Sequence, residues 1–143
     1  MLVNTKGEAI LCDFGFSRIR HDVTRTFTMI REGGRLRFLA PELSYGDLAF
    51  RTTPSSDVYS LAMTFFHLVT LSLPFAEHER ELDAVRAAEN GARPQRRELQ
   101  NLPPSTAGAM WTLMERMWDH VPAERLSASD VQVYMDGILE IPV

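Results

Sequence analysis

Asp13 carries the most pointed chemistry in this sequence. It ends the apolar run Ile10-Leu11-Cys12 and is followed at once by Phe14 and Gly15. A carboxylate at the end of an apolar strand is costly to bury unless something pairs with it. Two readings fit the triplet. In one, Asp and Gly close the strand as ordinary turn residues. In the other, Asp13 is aimed at a magnesium ion, with Phe14 packing beneath it and Gly15 letting the backbone swing. A second group of candidates follows. Thr24, Thr26 and Thr28 lie in a stretch with arginines at 18, 20, 25, 31, 35 and 37. Guanidinium groups can cradle a phosphothreonine, and a solvated basic loop uses the same residues with no ligand. The four histidines, His21, His67, His78 and His120, have no metal-ligand spacing with one another or with Cys12. His67, inside an apolar helical stretch, reads as a core or interface residue.

Positioning any of these side chains takes a folded domain, and 143 residues are enough for one with its own core. Hydrophobic residues make up 45% and charged residues 24%, as in ordinary soluble globular proteins. The net charge of −4 argues against a nucleic-acid partner, whose footprint is a basic stripe. The single cysteine excludes an internal disulfide framework and fits a reducing compartment. The first residues lack the basic and apolar blocks of a signal peptide, and no apolar stretch is long and clean enough to span a bilayer. A cytoplasmic or nuclear protein without a membrane partner is the expectation.

Two short strands, 1–3 and 8–12, are predicted around the turn signal Asn4-Thr5-Lys6-Gly7, the second of them buried. Residues 14–39 carry no sustained period, and so long a loop in a small domain points to function. A short helix over 40–45 stops at Gly46. Ser55-Ser56 can cap a helix over 57–72 whose apolar residues cover nearly its whole circumference, which places it at the centre of the domain. A surface helix is predicted over 77–90, closed by Gly91. Arg93, Arg96 and Arg97 around Pro94 read as an exposed turn. A half-buried helix over 106–120 carries the stripe Met110, Leu113, Met114, Met117 and Trp118. Ser127 and Asp130 form a capping-box pattern before a last helix with the stripe Val131, Tyr134, Met135, Ile138 and Leu139. The expected architecture is one mainly α domain, a helical bundle with a short N-terminal β-hairpin.

Four blocks stand in order along the chain: Asp13-Phe14-Gly15, then Leu36-Arg37-Phe38-Leu39-Ala40-Pro41-Glu42, then Ser56-Asp57-Val58-Tyr59-Ser60-Leu61, then Pro122-Ala123-Glu124-Arg125-Leu126-Ser127. Their identity, order and spacing resemble the C-terminal lobe of eukaryotic-type protein kinases. The resemblance covers essentially all of residues 1–143, from the D-F-G motif to the last helix of the lobe. It implies that Asp13 binds the magnesium that bridges to the ATP phosphates, that Phe14 packs under a regulatory helix, and that Gly15 is a flip point. Residues 16–39 resemble the activation segment, with Thr24, Thr26 and Thr28 as possible phosphosites. Glu42 would pair with Arg125 and tie that segment to the helical base. Asp57 would be buried and would accept backbone N–H groups from the catalytic loop, although a helix N-terminal acid is favourable by itself.

The family's catalytic Asp, its second metal-binding Asn, its Gly-rich phosphate loop and its ATP-contacting Lys have no counterpart among these residues. Arg35 stands where serine/threonine kinases commonly place a Thr. Leu36-Arg37-Phe38-Leu39 resembles serine/threonine or tyrosine-kinase-like members. The expectation is therefore the C-lobe of an α+β kinase fold, its family reaction being ATP γ-phosphoryl transfer to protein Ser/Thr, inactive as this chain alone and binding neither ATP nor magnesium by itself. The alternative is a non-catalytic, truncated kinase-fold interaction module. Partners would be a protein substrate or the missing N-lobe, with self-association through an exposed apolar face.

Overall fold

Asn4 makes the first turn of the chain. Its side-chain oxygen accepts the amides of Lys6 and Glu8, both at 2.9 Å, and Gly7 takes a positive φ of 83° that a side chain would resist. The turn joins β1 (Leu2–Val3) and β2 (Ala9–Ile10), which pair antiparallel with Leu2 opposite Ile10 and Val3 opposite Ala9. Val3 and Ile10 are exposed, so this part of the hairpin is not the buried strand that the apolar run suggested. The computed structural model describes residues 2–10, 36–44, 52–99 and 102–141.

A 3-10 turn, Leu36–Phe38, closes the stretch in which no period was read, and a second one, Pro41–Leu43, stands where a short helix over 40–45 was expected. Pro41 opens the second turn after an extended Ala40, and Ser44 closes it by donating its amide to the Pro41 carbonyl at 3.1 Å. The central helix α1 spans Pro54–Thr70 and begins three residues earlier than expected. Thr53, not Ser55 or Ser56, is its cap. The Thr53 hydroxyl accepts the Ser56 amide at 3.1 Å, and the Ser56 hydroxyl accepts the Thr53 amide at 2.9 Å. Pro54 fits the first helical position because no intrahelical N–H bond is lost there. At the other end Leu71 caps the helix in the left-handed region, at φ 53° and ψ 23°.

The surface helix α2 is Glu81–Glu89, four residues shorter at its start than its polar pattern suggested. A turn at 74–77 and a bend at 79–80 stand there instead, and the carbonyls of His78 and Glu79 accept side-chain hydrogen bonds from Arg37. Helix α3 spans Pro104–Met117 and α4 spans Ala128–Leu139, with a 3-10 turn, Pro122–Glu124, between them. The Ser127–Asp130 capping box forms as its pattern predicts, with both backbone bonds at 3.1 Å.

α1 packs on α3, α3 on α4, and the turns at 36–38 and 41–43 pack on α2. Val58, Tyr59, Ala62, Met63 and Phe66 form the buried face of α1, and the full expected stripe of α3 is buried against them. Phe66, Trp111 and Trp118 join the two helices, with ring centroids 5.9–6.4 Å apart in edge-on and tilted contacts. Burial is one-sided, however: Leu61, Leu68 and Leu71 of α1 and its cap are exposed. The last helix also differs from its predicted stripe. Val131 and Ile138 are buried, but Tyr134 and Leu139 flank that face and remain exposed.

Candidate functional site

Glu42 sits on the 3-10 turn that Pro41 nucleates, and Arg125 follows the 3-10 turn that Pro122 nucleates. Eighty-three residues apart in sequence, they meet fork to fork: Nη1 to Oε1 at 2.7 Å and Nη2 to Oε2 at 2.8 Å. The Arg125 guanidinium also donates to the carbonyls of Ser55 at 3.0 Å and Asp119 at 2.8 Å. Its side chain is wholly withdrawn from solvent, while 28% of the Glu42 side chain remains accessible. A planar guanidinium meeting both carboxylate oxygens is the strongest and most directional form of such a pair. One residue thus joins the 3-10 turn at 41–43, the start of α1 and the segment after α3.

The ring of Tyr59 supports this junction. The Arg125 guanidinium lies 5.0 Å from its centroid and that of Arg93 lies 5.8 Å away. Burial pushes the Tyr59 phenol up to about 12, against the lowering influence of the two arginines, and among the described residues its hydroxyl has no hydrogen-bond partner. Arg93 reaches across 25 residues to donate Nε to the Trp118 carbonyl at 2.7 Å. Burial also lowers its guanidinium pKa. Arg93 and Arg125 therefore satisfy the carbonyls at the C-terminal end of α3, where positive charge is favoured. Sequence reasoning missed this role for Arg93, because a partner carbonyl 25 residues away leaves no local pattern. Arg96 and Arg97 are exposed as expected, although the Arg96 guanidinium stacks on Trp111 with 5.6 Å to the ring centroid.

Arg37 is not the solvated loop residue that its sequence setting suggested. It is buried, and its guanidinium donates to the carbonyls of Pro74 at 3.2 Å, Phe75 at 2.5 Å, His78 at 2.6 Å and Glu79 at 3.4 Å. With those donors engaged, little of it is free for an anion. His67 is half-buried and lies between elements. Its Nδ1 donates to the Ser72 carbonyl at 2.9 Å and its ring meets Phe38 edge-on, 6.1 Å between centroids.

Asp57 is exposed, which corrects the expectation of a buried carboxylate. It lies on the stripe of α1 that continues through Leu61 and Leu68, opposite the face that packs into the core. Among the described residues no donor reaches its side chain, and partial desolvation raises its pKa above the ordinary 3.8. Asp13, Phe14, Gly15, Thr24, Thr26, Thr28 and Arg35 lie outside the described residues. Among the described residues no three His, Cys, Asp or Glu side chains are grouped to hold a metal ion. No helix there is long and apolar enough to cross a membrane.

Comparison with known proteins identifies the class to which this fold and junction belong. The family model for the protein kinase domain matches residues 1–134. This chain belongs to the protein kinase domain family, and its helical bundle with a front hairpin is that family's C-lobe. Over 143 residues it is 28% identical to human ankyrin repeat and protein kinase domain-containing protein 1, covering 99% of this chain and 18% of that protein. Over 142 residues it is 28% identical to stress-activated protein kinase alpha of Dictyostelium discoideum, covering 92% of this chain and 20% of that protein. It is 26% identical over 140 residues to the dual specificity protein kinase shkC of the same organism, covering 97% of this chain and 26% of that protein. The chain thus spans about a fifth to a quarter of the length of these relatives. Protein kinases use ATP and magnesium and act on protein substrates.

Proposed function

We propose that residues 1–143 act as the C-lobe of a serine/threonine protein kinase domain, whose reaction moves the ATP γ-phosphoryl group to a Ser or Thr hydroxyl of a protein. The observation that carries this reading is the Glu42–Arg125 fork, which joins the A-P-E block to the P-A-E-R block over 83 residues. In this reading 16–39 is the activation segment, Thr24, Thr26 and Thr28 are its candidate phosphosites, and Arg125 holds its end against the helical base. Asp13 holds magnesium, with Phe14 and Gly15 setting its orientation. Asp57 heads the face of α1 on which the catalytic loop rests. Phosphoryl transfer is mostly positioning and charge stabilisation, so a rigid base of this kind contributes directly to rate.

The 143 residues alone do not transfer phosphate in this reading. A magnesium site relies on substrate phosphates and more than one protein ligand, and the lysine and Gly-rich loop that would clamp a nucleotide have no counterpart here. The test is a radiolabelled-ATP assay on generic protein substrates, with calorimetry at millimolar ATP. The expected result is no transfer and no binding by the purified chain. Transfer that disappears in Asp13→Asn would overturn the reading of inactivity, and transfer that survives in that variant marks a contaminating kinase.

One observation favours a second reading, a non-catalytic interaction module in the cytoplasm or nucleus. Leu61, Leu68, Leu71 and Leu73 are exposed on and just beyond α1, an apolar surface that invites a partner or a second copy. Sedimentation of the chain before and after Leu68→Asn distinguishes the two: a self-associating module loses mass on substitution.

A further inference from the structure

Phe75 and Arg37 account for each other's unusual state. Phe75 is buried, yet its backbone is left-handed at φ 54°, a region that residues with a side chain rarely enter. Such a conformation persists only where the surroundings over-determine it. Arg37 is a buried cation, and a buried guanidinium is stable only when its donors are met. With Phe75 turned as it is, four carbonyls within 74–79 converge on that one guanidinium, the shortest bond being to Phe75 itself. Inside the same turn the His78 amide closes on the Phe75 carbonyl at 3.0 Å. Leu71, four residues earlier, is also left-handed, so the loop carries two non-glycine residues in that region.

We propose that Arg37 is a positioning residue: it holds the 74–79 turn in its left-handed form and, through that turn, sets the path of residues 36–44. The role rests on the reading of that stretch as the end of the activation segment, and it deepens the reading by naming the loop after α1 as the element that aligns it. Arg37 belongs to the 3-10 turn Leu36–Phe38, whose next residue returns its amide to the Leu36 carbonyl at 3.1 Å. Releasing the guanidinium frees both ends of the contact together. A change in the loop therefore reaches 36–44 without passing through the Glu42–Arg125 pair.

Hydrogen–deuterium exchange on the whole chain tests this, comparing wild type with Arg37→Met and Arg37→Lys. Reporter amides are Leu39, Leu43 and His78, which close local turns, and the interior of α3 as a reference. In Arg37→Met, exchange at 36–44 and at 74–79 should rise together by about tenfold or more, with α3 unchanged, because each turn loses the partner that held it. Arg37→Lys, which keeps the charge but not the fork, should show a smaller rise in both. A rise in one segment alone, or in neither, overturns the proposal. If Arg37→Met deprotects α3 as well, Arg37→Lys decides: it must loosen both segments with α3 intact, and any other pattern counts against the role. No nucleotide enters this measurement, so its failure leaves the kinase reading standing, and a failed phosphoryl-transfer assay leaves the positioning role standing.

Discussion

Arg37 and Arg125 are buried to the same extent, each 7% exposed, and the chain neutralises them in opposite ways. Arg125 meets a carboxylate, and its remaining donors reach two carbonyls from other parts of the fold. Among the described residues Arg37 meets carbonyls alone, all within one short turn. The first arrangement joins segments that are far apart and depends on a second charge being in place. The second shapes a loop and depends on backbone conformation, including the left-handed Phe75. The same side chain is a long-range tie in one region and a local mould in the other.

The largest effect should come from breaking the charged tie. Arg125→Met strands Glu42 and frees three segments at once, and the expected loss is ~3–5 kcal/mol in urea melts, as for other buried pairs that lose one partner. The exposed Arg97→Ala should stay within about 0.5 kcal/mol of wild type. Equal midpoints for the two variants would erase the distinction between them. Arg37→Met should cost less, about 1–3 kcal/mol, because the carbonyls of the partly exposed His78 and Glu79 can take up water once the guanidinium is gone. A loss as large as that of Arg125→Met would mean that carbonyl dipoles hold a buried cation as firmly as a carboxylate does.

Leu71→Gly sharpens the comparison from the loop side. It removes a left-handed leucine that is 76% exposed, and melts should show a gain of about 1 kcal/mol. The gain should persist in the Arg37→Met background if the loop's two left-handed residues are independent.

The smallest expected effects are in pH dependence. Arginine does not titrate in the acid range and histidine is almost fully protonated below about pH 5, so melts from about pH 3 to about pH 5 isolate the carboxylates. Asp130 lies below its ordinary value because its carboxylate accepts hydrogen bonds from the Ser127 hydroxyl and amide. Its contribution is present above the ordinary value and is lost as pH falls through the depressed folded one. Asp57 has the opposite sign, since desolvation raises its folded pKa above 3.8. Its contribution is present below the ordinary value and is lost as pH rises through the raised one. Asp130→Asn should therefore cost more at the upper end of the range than at the lower. Asp57→Asn should be neutral or slightly stabilising at the upper end. A destabilised Asp57→Asn would mean that its ionised carboxylate has found a donor or the helix dipole.

The helices and the order of the family blocks were legible in the sequence because they depend on local signals. The apolar period of α3 predicted its buried stripe, and Ser127 with Asp130 predicted the start of α4, because capping and amphipathicity act within about four residues. The start of α1 was misjudged because three candidate caps, Thr53, Ser55 and Ser56, compete there, and the two-way bond between Thr53 and Ser56 decided it. α2 was predicted too long because its polar first turn looked helical, while those carbonyls belong to Arg37.

By itself the sequence determined which residues are apolar, which segments are helical, and to which family the ordered motifs belong. Tertiary structure alone decided what each arginine does. Arg37, Arg93 and Arg97 look alike in a list of loop residues, but the first is buried in a carbonyl nest, the second holds the end of α3 and the third is exposed. It also decided that Asp57 faces outward, on the side of α1 away from the core. The physical reason is range. Helix periodicity and capping depend on neighbours within a turn, whereas the environment of a charged group depends on whichever carbonyls, carboxylates and water the folded chain brings to it from tens of residues away.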